Sequence, residues 1–228
     1  MKVSLTSITI PQIKHEDVKS GEDLIIWTAR VSSPNQMKHE NGERLLKYLI
    51  KHGHWSPFEL CTMGVEIETT VDIATQILRH RSFVFQQLSR RFSNEGVEFE
   101  WGECREQAIT NKQSSHDLSQ DDMRHPQWEL LTKEIEQHCI YAYNKAVDNG
   151  IANEVARKLL PQSLMTRMYM TGSVRSWIHY LQLRLAKNTQ KEHRAVALAI
   201  YDIFKEQYPV IATSAINAEL IDAPLVNE

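Results

Sequence analysis

The spacing of apolar residues along the chain predicts several helices and a few strands. Apolar and polar residues alternate over 2–10 and over 58–70, which is the period of a half-buried strand. Apolar residues recur at helical spacing in seven other segments, which are 23–31, 43–52, 71–78, 128–149, 152–160, 174–185 and 189–207. Gly53 after the second of these helices and Pro161 after the fifth are typical stop signals. The pattern predicts an α+β fold, in which a small, mainly antiparallel sheet packs with several helices.

The segment 94–126 shows neither period. It is polar and irregular, and it is long for a loop inside a compact domain. We therefore expect this segment to be either functional or mobile.

The segment Arg79–Arg91 carries the strongest chemical signal. It places four arginines within thirteen residues, directly after the helix predicted at 71–78. A guanidinium group presents a planar fork of donors that suits phosphate and carboxylate oxygens. The simpler interpretation is a solvated cluster that complements the dipole of the preceding helix. Apolar residues interrupt the cluster, however, at Phe83, Val84, Phe85 and Leu88. Part of the segment must therefore be buried, and its arginines need partners, of which a bound phosphate is one candidate.

Composition and charge narrow the classes of function. The chain has 228 residues, 42% of them hydrophobic, and a net charge of −3. These values fit one globular domain and argue against binding a DNA duplex through bulk positive charge. No apolar window reaches the roughly 18 residues that a membrane span needs, and the first ten residues lack a signal-peptide core. We expect a cytoplasmic protein.

The cysteines and histidines give no sign of a metal site or a thiol nucleophile. Cys61, Cys104 and Cys139 form no CxxC pair, and none follows a proline. Cys61 falls in a predicted strand, so we expect it to be a core residue. The pair His52 and His54 is weak evidence for a metal, and we expect none. The chain also lacks GxGxxG and GxxxxGK[ST], so any dinucleotide must be held without a glycine-rich phosphate loop.

The order Arg-His-Arg, seven residues, Ser over Arg79–Ser89 resembles the signature of the flavin-dependent thymidylate synthases. Other segments resemble that family in the same order along the chain, namely 52–59, Gln76, 111–115, 154–161, 174–176, 183–184 and 190–192. The resemblance implies a single domain over 1–228 with the fold of the thymidylate synthase complementing proteins. The classical thymidylate synthases use a cysteine nucleophile in a Pro-Cys context, and this chain does not resemble them.

The resemblance also implies an activity and its cofactors. Such an enzyme transfers a one-carbon unit from 5,10-methylenetetrahydrofolate to C5 of dUMP and makes dTMP. Reduced FAD provides the hydride, and NADPH regenerates it. Members of the family are homotetramers whose active sites lie between subunits, so the expected partners are small molecules and further copies of the chain, with no membrane and no DNA duplex.

Matching positions supply the candidate substrate site. The resemblance assigns dUMP to Gln76, Arg79, Gln87, Leu88, Ser89, Arg90, Arg91, Arg157 and Arg184. Arg184 matches the position that the family uses to activate the pyrimidine. A cation beside the uracil edge can do so because it stabilises negative charge that develops on O4 or N3. Ser89 is the second candidate catalytic residue, and we expect it to position the substrate, since no base is evident beside it. Simpler roles stay open: Ser89 as a helix cap, Arg157 paired with Glu154, and Arg184 as an inter-helix arginine.

Matching positions also supply the candidate flavin site. They are His54, Ser56, Glu59, Arg79, His80, Arg81, Gln87, Ser173, Arg175 and His179. Arg79, His80 and Arg81 are expected to neutralise the pyrophosphate of FAD.

Several positions depart from the family pattern. They are Gln87 for a frequent Glu, Arg90 for Gly, Phe92 for Tyr, Ser173 and His179 for Asn, and Asn188 for His. Two alternatives stay open, and the departures suggest the first of them. One is a flavin-dependent pyrimidine-nucleotide hydroxymethylase on the same scaffold, and the other is a protein that binds a nucleotide or RNA without turnover.

Overall fold

The computed structural model describes residues 1–31, 41–93 and 96–222. The strands in these ranges are β1 (Lys2–Ile8), β2 (Thr62–Thr70), β3 (Val84–Gln87), β4 (Arg105–Gln107), β5 (Ser115–Asp117) and β6 (Met165–Ser173). The main sheet has the order β1-β2-β6-β3, and every neighbouring pair is antiparallel. β4 and β5 form a separate hairpin.

Helices account for much of the remaining described chain. They are α1 (Gly21–Ala29), α2 (Gly42–Lys51), α3 (Val71–Ile77), α4 (Arg124–Asp148), α5 (Asn153–Ala156), α6 (Val174–Arg184), α7 (Lys191–Gln207), α8 (Pro209–Ala215) and α9 (Ala218–Asp222). Two short 3-10 turns lie at Ser56–Glu59 and Arg157–Leu159. The predicted α+β class with a small antiparallel sheet is confirmed. None of the described helices combines the length and the apolar character needed to cross a bilayer.

One face of the main sheet carries the core. Met63, Val65 and Ile67 of β2 are fully buried, and Met168 and Met170 lie beside them on β6. α6 and α7 belong to the same core through Trp177, Ile178, Leu181, Val196, Ile200 and Phe204. Full burial of one such side chain contributes about 1.5–3 kcal/mol, so this layer holds α6 firmly against the sheet.

Local signals set the ends of the first two helices. Ser20 forms a capping box with Asp23, which starts α1 two residues before the predicted position. Gly53 follows α2 with φ of 66°, a conformation that costs glycine little. The next amide, that of His54, then donates to the carbonyl of Leu49 over 2.9 Å and closes the helix. The stop predicted at Gly53 is confirmed.

Three predicted segments are wrong in part. The strand predicted over 58–70 begins at Thr62, because the preceding residues form the Ser56–Glu59 turn, in which Pro57 lacks an N–H for a ladder. Cys61 therefore precedes the strand. The segment 94–126 is not one long loop, since it contains the β4–β5 hairpin and the first turn of α4, while residues 94 and 95 lie outside the described residues. The helix predicted over 152–160 is divided into α5 and the Arg157–Leu159 turn.

Besides the β4–β5 hairpin, four elements were not predicted from the pattern, namely β3, β6, α8 and α9. β6 does alternate, with Met168 and Met170 buried and Arg167 and Tyr169 exposed. Methionine is not a typical strand residue, which makes that alternation hard to recognise. α8 starts after a single non-helical residue, and Pro209 at its first position begins it.

The long helix α4 buries less of its apolar stripe than the pattern predicts. Tyr143 and Ala146 near its end are buried, but Leu131 is 54% exposed and Ile135 is 48% exposed. Nothing in the described chain covers this part of the stripe.

Candidate active site

The N-terminal half of α6 gathers several of the predicted flavin residues. The hydroxyl of Ser173 accepts the backbone N–H of Ser176 and caps the helix. One turn in, Arg175 forms an ion pair with Glu59. One turn further, the ring of His179 packs edge-on against Trp55, with ring centroids 5.0 Å apart. The Ser56–Glu59 turn and α6 together therefore present Ser173, Arg175, His179 and Glu59 on one side of the molecule.

The loop after α3 lies against the same helix. The hydroxyl of Ser176 donates to the carbonyl of Ser82 over 3.2 Å. Arg79 and Arg81 are exposed, and neither guanidinium group has a hydrogen-bond or ion-pair partner among the described residues. Two unpaired guanidinium groups next to α6 suit a diphosphate.

His80, which lies between these arginines in the sequence, is half-buried and contacts Arg184. Nε of Arg184 donates to Nε2 of His80 over 2.8 Å. Burial, together with the positive charge of Arg184, lowers the pKa of His80 to about 4. His80 is therefore neutral at pH 7 and carries its proton on Nδ1. A neutral His80 contributes no positive charge toward a pyrophosphate. It accepts a hydrogen bond from one of the three guanidinium nitrogens of Arg184.

A chain of hydrogen-bonded polar side chains begins beside this pair, buried at Tyr180 and His193 and half-buried further along. The hydroxyl of Tyr180 lies 3.2 Å from Nε2 of His193, and Nδ1 of His193 lies 3.3 Å from Oε1 of Gln76. Nε2 of Gln76 donates to Oε1 of Gln190 over 2.7 Å, and Gln190 donates to Glu192 over 3.0 Å. Glu192 also forms an ion pair with Arg105 of the β4–β5 hairpin, at 2.6 Å. Gln76, a candidate dUMP residue, is thus engaged inside this chain.

Other candidate dUMP residues line a cleft of about 270 Å³ beside β3. These are Gln87, Leu88, Arg90 and Arg157. Nε2 of Gln87 donates to the hydroxyl of Thr166 over 3.3 Å, and Nη2 of Arg90 donates to the carbonyl of Gly96 over 2.6 Å. Nε of Arg157 reaches only the backbone carbonyl of Glu154, at 3.4 Å. The cleft therefore offers two guanidinium groups to an anionic ligand.

Ser89 and Arg91 line a neighbouring groove with Glu154. Ser89 starts a turn, since its carbonyl accepts the N–H groups of Phe92 and Ser93 over 3.2 Å. No helix begins there, so Ser89 is not a helix cap. The carboxylate of Glu154 pairs with Arg91 at 3.4 Å. The simpler role left open for Arg157, an ion pair with Glu154, is therefore not found, and Arg157 contacts only the backbone carbonyl of that residue.

The candidate residues thus form three groups. The flavin candidates surround the start of α6, with His54 exposed at the end of α2 nearby in sequence. Arg184 and His80 lie beside the polar chain, which contains Gln76. Apart from Arg79, which lies in the loop after α3, the remaining dUMP candidates lie around the β3 cleft. No hydrogen bond or ion pair within the described ranges joins Arg184 to that cleft.

Five participants in the polar chain, Tyr180, His193, Gln190, Glu192 and Arg105, were not among the candidates. His193 was detectable in principle, because it falls on the buried face of α7 with Val196, Ala197 and Ile200, at positions i, i+3, i+4 and i+7. A histidine on such a face needs a partner. Its partner Tyr180 lies on another helix, which periodicity cannot reveal.

The cysteines lie apart from these groups. Cys61 is fully buried and its thiol donates to the carbonyl of Gly21 over 3.4 Å. Burial raises its pKa to about 11, so it remains a thiol at neutral pH and is a poor nucleophile. Its expected place in the core is confirmed.

A variant with Cys61, Cys104 and Cys139 all replaced by alanine is therefore expected to keep its turnover. Loss of the buried sulfur should lower the free energy of unfolding by about 1–2 kcal/mol. Urea unfolding measures the stability, and steady-state kinetics measures the turnover, with Cys104→Ala as the single-site control. A folded triple variant without activity would contradict the expectation and would point to a thiol in the chemistry.

Comparison with known proteins places the chain in a family. The family described as thymidylate synthase complementing protein matches residues 14–210. A flavin-dependent thymidylate synthase from Synechocystis sp. is 44% identical over 215 residues, which cover 94% of this chain and 99% of the relative. A probable flavin-dependent thymidylate synthase of Paramecium bursaria Chlorella virus 1 is 41% identical, with coverage of 93% and 97%.

A solved structure supports the fold. The crystal structure of a UMP/dUMP methylase from Streptomyces cacaoi, bound with 5-Br dUMP, aligns with a TM-score of 0.80 at 23% identity and covers 93% of each chain. The match of the family over most of the chain, together with relatives of this identity, settles the membership. The chain belongs to the flavin-dependent thymidylate synthase family.

Proposed function

We propose that this chain is an FAD-dependent thymidylate synthase, an enzyme that transfers a one-carbon unit from 5,10-methylenetetrahydrofolate to C5 of dUMP. The observation that carries the proposal is the pair of Arg184 and neutral His80. It leaves a half-buried guanidinium group with both Nη nitrogens available, next to a loop that bears two unpaired arginines.

The β3 cleft is the proposed site for the phosphate of dUMP. Arg90 and Arg157 line it, and Ser89 and Arg91 lie in the adjoining groove. Guanidinium groups bind phosphate oxygens through paired, charge-assisted hydrogen bonds. Leu88 and Gln87 complete the wall. We assign Ser89 a positioning role, because no general base lies within hydrogen-bond distance of its hydroxyl among the described residues.

Arg184 is the proposed catalytic residue. C5 of the uracil ring becomes nucleophilic when negative charge develops on N3 and O4, as it does when N3 loses its proton. A fixed cation beside that edge lowers the barrier, because it need not reorganise as the charge develops. His80 fixes the guanidinium by Nε, so its two Nη nitrogens stay free to face the pyrimidine.

The residues around α6 fit FAD by the chemistry of their donors. Arg79 and Arg81 are exposed cations without partners in the described chain, as a diphosphate requires. His54, Ser56, Glu59, Ser173, Arg175 and His179 supply further donors and acceptors on the same side. FAD, kept reduced by NADPH, supplies the hydride that completes the methyl group. We assign the charge neutralisation to Arg79 and Arg81, while His80 serves Arg184.

We further propose a homotetramer whose active sites are shared between subunits. Within one chain Arg184 and the β3 cleft belong to separate groups, and a second subunit can bring them together. Large apolar side chains also lie exposed, including Phe92 beside the cleft at 92% and Ile135 on α4 at 48%. Exposed patches of this kind mark interfaces. The whole chain would act as a single domain in the cytoplasm.

The relatives reported above are named as thymidylate synthases, which favours a methyl product over a hydroxymethyl product. A protein that only binds nucleotides would have no need for the Arg184–His80 pair. The deciding experiment incubates the purified protein with 5-tritiated dUMP, methylenetetrahydrofolate and NADPH. We expect tritium release with dTMP as the product. Release of tritium with 5-hydroxymethyl-dUMP as the product would identify the hydroxymethylase instead, and no release would leave a binding protein.

The shared site gives a prediction about the flavin. We expect a yellow protein with one non-covalent FAD per active site, bound only by the oligomer. Light scattering combined with the flavin absorbance band tests this over a dilution series. Introducing a charge into the exposed stripe of α4, as in Ile135→Glu, should favour dissociation and release FAD. Lys133→Glu on the opposite face of α4 is the matched control. A monomer that keeps stoichiometric FAD would contradict the shared site.

A further inference from the structure

The hydrogen bonds of the polar chain between α6 and α7 have a fixed donor-to-acceptor direction. Glu192 is acceptor-only as a carboxylate, so it orients the amide of Gln190 with its nitrogen toward Glu192 and its oxygen toward Gln76. Gln76 must then present its own oxygen to His193, because its nitrogen is used by Gln190. Nδ1 of His193 therefore carries the proton. One carboxylate thus sets two amide orientations and a histidine tautomer.

The direction extends to Tyr180. With the proton on Nδ1, Nε2 of His193 is an acceptor, so the hydroxyl of Tyr180 donates to it over 3.2 Å. Both side chains are almost completely inaccessible to solvent. An unmade hydrogen bond at such a depth is costly, so the pair is held in one arrangement.

The tyrosine ring is what connects this pair to the proposed catalytic residue. The ring of His80 packs edge-on against Tyr180 with centroids 4.8 Å apart, and lies 6.3 Å from the ring of His193. Arg184 lies one turn after Tyr180 on α6 and donates to His80. Because the Tyr180 hydroxyl is committed to His193, it does not compete for Nε2 of His80.

We infer that Tyr180 and His193 act as positioning residues for Arg184. They fix the ring of His80 so that it holds Nε of Arg184 and leaves both Nη nitrogens for the pyrimidine. This inference rests on the proposed function for the role of Arg184, but the positioning itself is a property of the folded chain. A displacement of a catalytic group by about 1 Å can cost as much as 10²-fold in rate.

The experiment compares Tyr180→Phe, His193→Leu, the double variant and His193→Gln. We expect Tyr180→Phe and His193→Leu each to lower kcat for tritium release from dUMP about 10-fold, with little change in KM for dUMP or in flavin reduction by NADPH. The double variant should lose no more than either single variant, because the two residues act as a unit. His193→Gln, which retains a donor and an acceptor, should recover most of the rate.

Two controls separate positioning from general damage to the core. Tyr208→Phe makes the same change at another fully buried tyrosine, whose hydroxyl donates to the Thr62 carbonyl over 3.4 Å, and should keep the wild-type rate. In an Arg184→Lys background, where Nε of arginine is missing, Tyr180→Phe should have no further effect. If Tyr180→Phe slows flavin reduction as much as methylation, or still slows methylation in the lysine background, the inference is wrong.

Crystal structures of the wild type and of Tyr180→Phe give a readout that does not depend on activity. We expect the 2.8 Å contact between Arg184 and His80 in the wild type and its loss in the variant. A Tyr180→Phe structure that keeps the contact would overturn the inference, even if the variant were slow. If the wild type makes no dTMP, the proposed function is wrong. If the contact is nevertheless lost in Tyr180→Phe, the positioning still holds.

Discussion

Replacing Arg184 with lysine should slow the methylation of dUMP by about 10²–10³-fold, the usual effect of removing one preorganised donor to a developing negative charge. Lysine keeps the positive charge but loses the planar fork, and it has no Nε to donate to His80. Arg184→Ala should be at least as slow. Flavin reduction by NADPH should continue near the wild-type rate in both variants, because that half-reaction does not involve the pyrimidine.

The two half-reactions are measured separately, flavin reduction by stopped-flow absorbance and methylation by tritium release under single turnover. Arg44→Lys, on the exposed side of α2, makes the same chemical change away from the site and should have no effect. Near-normal methylation by both Arg184 variants would make Arg184 a structural residue. Loss of FAD from both would give it a role in holding the cofactor, with Arg79 as the next candidate activator.

The sequence predicted a helix well where residues close to its end determine that end. α2 ends at Gly53 because only a positive φ closes the helix there, and glycine adopts it with little cost. α6 and α7 follow strong helical periods. The strand β6 depends on its pairing with β2 and β3, which are distant in the chain, so its bounds could not be predicted.

The candidate site also has a part that the local sequence predicted and a part that depends on residues distant in the chain. The basic segment after α3 indicated phosphate chemistry from residue types alone. Of its four arginines, Arg79, Arg81 and Arg91 are exposed, and Arg90, which lines the β3 cleft, is half-buried. The neutral state of His80 could not be predicted, since it comes from burial and from Arg184, which is 104 residues away. The stripe on α4 shows a second limit. A pattern indicates that a face is apolar, but it does not say whether the same chain or another one covers it.

Acid should unfold this protein through two histidines, the half-buried His80 and the fully buried His193. Burial and neighbouring positive charge lower the pKa of His80 to about 4 and that of His193 to about 3. In the unfolded chain both titrate near the ordinary value of about 6.5. Between these limits the unfolded state binds protons that the folded state does not. The stability that comes from neutral histidines is therefore complete above pH 6.5 and is lost as the pH falls toward 4 and then 3.

Near pH 5 unfolding should take up about two protons from these residues, so the free energy of unfolding should fall by about 2.7 kcal/mol per pH unit. Glu22 acts in the opposite direction, because burial raises the pKa of its carboxyl group, so the comparison of variants is more informative than the absolute slope. Urea unfolding at intervals from pH 7 to pH 5 measures the slope. His193→Leu should reduce the uptake by about one proton. His138→Gln, at an exposed position on α4, is the matched control and should leave the slope unchanged. Equal slopes for the wild type and His193→Leu would show that His193 is not held neutral by the fold, and the direction assigned to the polar chain would then be wrong.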